Sequence, residues 1–296
     1  MSFAPIVHLF GDDSPTEFGP ALDWLRKHAT MHHCAADSLT VHRDSTAGGS
    51  LSQPPLSSPD VILLLQNRPG QWSAETVERL HFRWPLARLV ALLGSWCEGE
   101  PRTGRPLPGV VRVLWHQWEA VFGRYWESAG DAPHPWRLPR TQAATEPFLA
   151  DLIEPARGSR LPSPRPLVAI EAIETAGFEA LADACRAAGY AVARWRADAP
   201  REVQGAAVLV WDEPGWSHDD LDRLRSCVLG AAGVPVIAIL GMLRWEDWLR
   251  ARGLGAAVVL AKPFVLADFF WHLDGQIAAP SLQGSERILR APGAAP

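Results

Sequence analysis

The chain alternates between short apolar runs and amphipathic stretches. Residues 61–65, 208–210 and 234–240 are near-continuous aliphatic runs with no in-out alternation. Runs of that kind suit strands covered on both faces, as in a parallel sheet. Residues 6–10 and 167–171 are further strand candidates, each containing one polar residue. Between the runs lie helical patterns. Residues 177–188 put Phe178, Leu181, Ala182 and Cys185 on one stripe. Residues 217–228 place Leu221, Leu224 and Val228 at helical spacing, with Ser217 as a cap before His218, Asp219 and Asp220. From Leu167 to Ile277 strand and helix alternate, giving about five βα units in one doubly wound domain.

The two halves repeat each other. The first carries VILLLQNRPGQWSAETVERL (61–80) and RLVALLGSW (88–96); the second carries AAVLVWDEPGWSHDDLDRL (206–224) and VPVIAILGML (234–243). Each reads as a strand, a polar exit with Pro-Gly, a Trp-Ser, an acidic helix and a strand ending Leu-Gly. A gap near Gln71 brings the Pro-Gly pairs into line, and Asn67 then stands opposite Asp212. So many ordered features imply an internal duplication. Residues 131–164 are rich in Pro and Arg and read as a connector, with one short helix at 146–153 capped by Thr145. Residues 45–59 read as a loop insertion and 279–296 as a frayed tail, leaving domains at 1–130 and 165–278.

Near its end the second half carries GLGAAVVLAKPFVLADFFWHL, residues 253–273. This string resembles the close of a response-regulator (CheY-like) receiver domain: a Gly-Ala turn, a strand, Lys-Pro-Phe, then the last helix. Residues 167–171, 187–192, 208–212 and 234–237 resemble the first strand, first helix-to-strand turn, third strand and fourth strand, in order. The resemblance spans nearly all of 165–278 and implies an α/β, flavodoxin-like fold with a five-stranded parallel sheet. By the duplication it implies two such domains in tandem. It puts Asp212 at the phosphoacceptor position and Lys262 at the lysine contacting the acyl phosphate. Of the acidic pair that holds Mg²⁺ in such domains, Glu171 stands at the end of the first strand and Glu174 follows, so Asp212 with Glu171 is a weak candidate metal pair. The hydroxyl that ends the fourth strand in active receivers is missing, because Leu240-Gly241 stands there. In the first half Asn67 cannot form an acyl phosphate, and Trp115 to Trp118 occupies the region of Lys-Pro-Phe. Asp12 and Asp13 follow the first strand but have no acceptor to serve. The resemblance is therefore to degenerate pseudo-receivers.

Composition narrows the alternatives. Hydrophobic residues make up 47% and charged residues 21%, an ordinary globular balance. No apolar run approaches the ~20 residues that span a bilayer, and Asp12-Asp13 follows the first strand where a secretory signal would continue. Four cysteines, Cys34, Cys97, Cys185 and Cys227, have no paired spacing, which suits reduced thiols and a cytoplasmic setting. The net charge of −5 gives no global field for nucleic acid. Among 28 basic side chains only Lys27 and Lys262 are lysines, so Lys262 in Lys-Pro-Phe is informative.

Other chemistry finds little support. His32-His33-Cys34 lacks partners at ligand spacing. No Walker or dinucleotide loop occurs, and Ser73 and Ser217 after Trp read as helix caps rather than nucleophiles. Fourteen tryptophans remain; Trp211, Trp216, Trp245, Trp248 and Trp271 border the expected site and its neighbouring helices. They are either packing or an interaction surface. The expectation is a non-enzymatic tandem pseudo-receiver, a phosphorylation-independent interaction or scaffold module in bacterial signalling. It would need no cofactor and would bind other signalling proteins, or a second copy, but no nucleic acid or membrane. A regulator phosphorylated at Asp212 with Mg²⁺, and a small-molecule or nucleotide binder at the strand ends, are the alternatives.

Overall fold

The computed structural model describes residues 4–34, 58–100, 104, 107, 109–127, 166–196, 205–213 and 218–278. The chain divides into two compact units, Met1–Glu154 and Pro155–Pro296. The connector at 131–164 with its short helix, the tail at 279–296, nearly all of the 45–59 insertion, Trp216 and the Ser217 cap lie outside the described residues.

The first unit runs β1 (Ile6–Phe10), α1 (Gly19–His28), β2 (Thr30–Cys34), β3 (Val61–Gln66), α2 (Ala74–Arg83), β4 (Arg88–Leu93), β5 (Val111–Leu114) and α3 (Trp118–Glu127). Its strands pair in parallel in the order β2-β1-β3-β4-β5. The second unit runs β6 (Leu167–Ala172), α4 (Thr175–Ala187), β7 (Ala191–Arg194), β8 (Ala206–Glu213), α5 (His218–Gly230), β9 (Val236–Gly241), α6 (Trp245–Gly253), β10 (Val258–Lys262) and α7 (Leu266–Ala278). Its sheet is β7-β6-β8-β9-β10, again all parallel. Counted within each unit, both orders are 2-1-3-4-5, the flavodoxin-like arrangement, in which ligands sit at the carboxyl ends of the strands.

Local chemistry accounts for the boundaries. The Ser73 side chain accepts a hydrogen bond from the Thr76 backbone N–H at 3.1 Å and caps α2. At the end of α4, Gly189 takes a left-handed φ of 90°, while Tyr190 N–H returns to the Cys185 carbonyl. At the end of α6, Gly255 and Ala256 repeat this closure.

Strand alternation decides what each face sees. In the second sheet Val168, Ile170, Val208, Val210, Ile237, Ile239, Val258 and Leu260 form one face. They pack on Leu181, Ala182 and Cys185 of α4 and on Phe269 and Leu273 of α7. The opposite face meets α5, as the Glu213–Arg223 ion pair across it shows. In the first sheet Ile62, Leu64, Leu89, Ala91 and Leu93 pack on Val77 and Leu80 of α2.

Candidate site at the strand ends of the second unit

Asp212 is the next-to-last residue of β8, and Lys262 is the last of β10. Period-two alternation puts Asp212 on the same face as Val208 and Val210, and Lys262 on the face of Val258 and Leu260, both toward α4 and α7. Lys262 Nζ lies 2.6 Å from Asp212 Oδ1, with side-chain exposures of 34% and 6%. The carboxylate is therefore nearly dry, and its charge is balanced by a lysine that keeps about a third of its side chain in water. Gly177, in the first turn of α4, lies over the other carboxylate oxygen: a Cβ there would come within 2.8 Å of Asp212 Oδ2. Gly241 is the register partner of Lys262, so no hydroxyl faces the pair from the end of β9. Ile173 and Met242, the residues just past β6 and β9, are exposed, so the rim at these two strand ends is apolar.

Two sequence expectations need correction here. Glu171 does not share a site with Asp212. The register pairs Ala172 with Asp212 and Glu171 with Trp211, so Glu171 points to the opposite face. There its carboxylate takes a hydrogen bond from the Cys227 thiol of α5. Burial first, then the Glu171 charge and that bond, push this thiol upward. Asp212 and Glu171 therefore do not fit a shared Mg²⁺, because the sheet itself separates them. Glu174, the N-cap residue of α4, is the acid on the Asp212 side; its Cβ lies 4.0 Å from the Cβ position of Gly177 that meets Asp212. Among the described residues no group of three or more His, Cys, Asp or Glu side chains gathers as a metal site.

The second correction concerns the tryptophans. Trp211 is 1% exposed and belongs to the core, on the Glu171 face, so it presents no interaction surface. Trp245 and Trp248 are half-buried and stacked at 5.1 Å on α6, with the Arg252 guanidinium 5.7 Å from the Trp248 ring; Trp271 is half-buried on α7.

The first unit shows the same site rebuilt. In β9 the residue before the terminal Gly241 pairs with Glu213, and in β4 the residue before Gly94 pairs with Gln66. Gln66 is thus the counterpart of Glu213, and Leu65 that of Asp212. Asn67, placed there by the Pro-Gly alignment, lies two residues further on, because the strand exits differ in length. On β5 Leu114 pairs with Leu93, which makes buried Trp115 the counterpart of Lys262. Apolar residues, Leu65 and Trp115, stand at the positions of the ion pair. A carboxylate nevertheless enters the same end of the sheet from the helix side. With Leu22 matched to Ala182 and Leu25 to Cys185, Glu17 is the counterpart of Gly177. Glu17 is buried and takes bonds from Ser95 Oγ at 2.5 Å and Ser95 N–H at 3.2 Å.

Sequence reasoning missed this bond and the polar cluster on the other face. In that cluster Gln66 donates to Glu100 at 3.0 Å and Arg112 pairs with Glu100 at 2.7 Å. A signal was available: each strand before the Pro-Gly exit ends on a polar residue, Gln66 or Glu213, where the apolar run should continue. Asp12 bonds Ser14, whose backbone N–H and hydroxyl hold its carboxyl below the ordinary carboxylate range.

No protein-family profile matches the chain, and no curated protein matches it. Solved structures do. The CheY-like receiver domain protein from Methanospirillum hungatei is 15% identical, covering 38% of this chain and 94% of that one, with a TM-score of 0.33. The receiver domain of a Francisella response regulator is 16% identical over 38% of this chain and 96% of that one, TM-score 0.33. The non-phosphorylated HemR receiver domain from Leptospira biflexa is 19% identical over 38% and 95%, TM-score 0.33. The strand order and the flanking helices, found twice, carry the fold assignment. Each unit is flavodoxin-like in fold. In the second unit the Asp212–Lys262 pair occupies the strand-end position where this fold class places its chemistry. No helix among the described residues is long and apolar enough to cross a membrane.

Proposed function

We propose that the chain is a phosphorylation-independent interaction module of bacterial signalling, built from two receiver-like units and acting on partner proteins without catalysis. The observation that carries this reading is what surrounds Asp212. Lys262 is ion-paired with one oxygen, Gly177 closes over the other, and Ala172 and Gly241 stand where a metal carboxylate and a hydroxyl would be needed. Phosphoryl transfer to a carboxylate brings two anions together and depends on positive charge between them. Here the only described cation bonded to Asp212 is Lys262, and it already serves as the counter-charge of a buried acid. The first unit, with Leu65 in place of the acceptor, has no such chemistry to perform.

One observation favours the alternative, a regulator phosphorylated at Asp212: Glu174 stands on the Asp212 side of the sheet. Incubation of the full chain with Mg²⁺ and acetyl phosphate, read by intact-protein mass, separates the two. No added phosphoryl mass, with partner capture equal for wild type and Asp212→Asn, supports the module. A stoichiometric phosphoryl adduct that Asp212→Asn abolishes overturns it.

A further inference from the structure

The two units exchange the source of their strand-end carboxylate. In the second unit the strand supplies it and the helix supplies a glycine, Asp212 under Gly177. In the first the strand supplies Leu65 and the helix supplies Glu17. The direction of the carboxylate changes with its source. Asp212 turns to the lysine at the end of β10, whereas Glu17 turns to the turn that leaves β4, the 3-10 segment Ser95–Cys97. Both Glu17 oxygens are used on one residue of that turn, 78 positions away in sequence. The approach is close: the φ of −77° at Gly94 suits any residue, but a Cβ there would have to push the Glu17 carboxylate aside. The far end of the turn is held as well, by Cys97 Sγ donating to the Gln66 carbonyl at 3.3 Å. Between these two anchors sits Trp96, 75% exposed.

We infer that Glu17 is a built-in clamp that fixes the Ser95–Cys97 turn in one conformation, so that the chain's own carboxylate sets the presentation of Trp96. A carboxylate accepting both a hydroxyl and a backbone N–H makes stronger bonds than neutral pairs do, and with Glu17 only 9% exposed little water competes for them. An exposed indole on a pre-organised turn loses little freedom when a partner covers it. The clamp concerns the first unit alone and stands whether or not Asp212 takes a phosphoryl group.

The test labels the full chain with 5-fluorotryptophan, assigns the Trp96 fluorine resonance with Trp96→Phe, and follows amide exchange of residues 95–97. Wild type gives one narrow Trp96 line and protected amides. Glu17→Gln, Ser95→Ala and Gly94→Ala each broaden or split the line and speed exchange at 95–97 about tenfold, the factor for one lost bond of ~1.4 kcal/mol, while exchange in β3 stays unchanged. Ser95→Thr, which keeps the hydroxyl, retains the wild-type line. Glu17→Gln with Ser95→Ala does less than the sum of the two, because both remove the same hydroxyl bond. An unchanged Trp96 line and unchanged exchange in all three single variants overturn the clamp, and so do effects of Glu17→Gln and Ser95→Ala that simply add.

Discussion

At the scale of the residue, the second unit's site turns on one buried charge and its partner. Lys262→Met leaves Asp212 dry and uncompensated, which costs about 2 kcal/mol, toward the low side for a stranded buried charge because Lys262 keeps about a third of its side chain in water. Asp212→Leu combined with Lys262→Met recovers to within about 1 kcal/mol of wild type, since matched apolar replacement of an ion pair is often neutral. The first unit already carries that solution as Leu65 and Trp115. Urea unfolding midpoints check both, and a double variant less stable than Lys262→Met would refute the argument. The buried thiols give a pH dependence. Burial raises Cys97 from 9.0 to about 11 and Cys185 from 9.0 to about 12. Below pH 9 both folded and unfolded thiols hold their protons and the contribution is whole. Above it the unfolded chain loses protons that the folded chain keeps. Stability then falls by about 1.4 kcal/mol per pH unit per thiol, until the folded thiols ionise too. Midpoints measured at pH 8 and pH 10 should fall, and Cys97→Ala or Cys185→Ala should each flatten the fall.

At the scale of the element, the turns between elements carry the strain, and the strand ends carry the information that was hardest to read. Met242, one residue past β9, holds φ at 46°, and Ala232, in the turn after α5, holds φ at 48°. A side chain in that left-handed region costs about 1–2 kcal/mol. Met242→Gly and Ala232→Gly should each raise stability, by something near 1 kcal/mol after glycine's own entropic cost. A loss of stability in either variant would mean that its side chain makes packing contacts worth more than the strain. The elements themselves were largely legible in the sequence, because unbroken aliphatic runs and stripes such as Phe178, Leu181, Ala182 and Cys185 have one reasonable geometry. The site was legible only in part. Lys-Pro-Phe and the acid ending β8 located Lys262 and Asp212, since both are fixed by position along a strand. Glu171 was misread because adjacency along the chain says nothing about face. A shift of one residue reverses the side of the sheet, and the register with β8 is a property of the pairing. Asn67 was misplaced for a related reason: the polar exits differ in length, so Pro-Gly is a poorer anchor than the Leu-Gly that ends β4 and β9. Glu17 and Ser95, 78 residues apart, leave no local pattern to find.

At the scale of the whole molecule, each sheet is drawn from one continuous stretch of chain. β1 to β5 all precede residue 115 and β6 to β10 all follow residue 166, and among the described residues each sheet takes its strands from one unit. Each unit also has its own core, Ile62, Leu64, Leu80 and Leu89 in the first and Ile170, Val210, Ile237 and Phe269 in the second. Chains of a little over 100 residues with one continuous core lie well within the size at which a domain folds alone. Residues 1–130 and 165–278, produced separately, should therefore each give a cooperative urea transition with mixed helix and strand circular dichroism. Because the slope of unfolding free energy against urea tracks the surface exposed, each fragment's slope should be about half of what one transition of the whole chain would require. The full chain should then be described by two fragment-like transitions rather than one steep step. A fragment that is unfolded alone but folds when its counterpart is added would show that the units complete each other. The Trp96 turn and the Asp212–Lys262 pair would then have to be studied only in the intact protein.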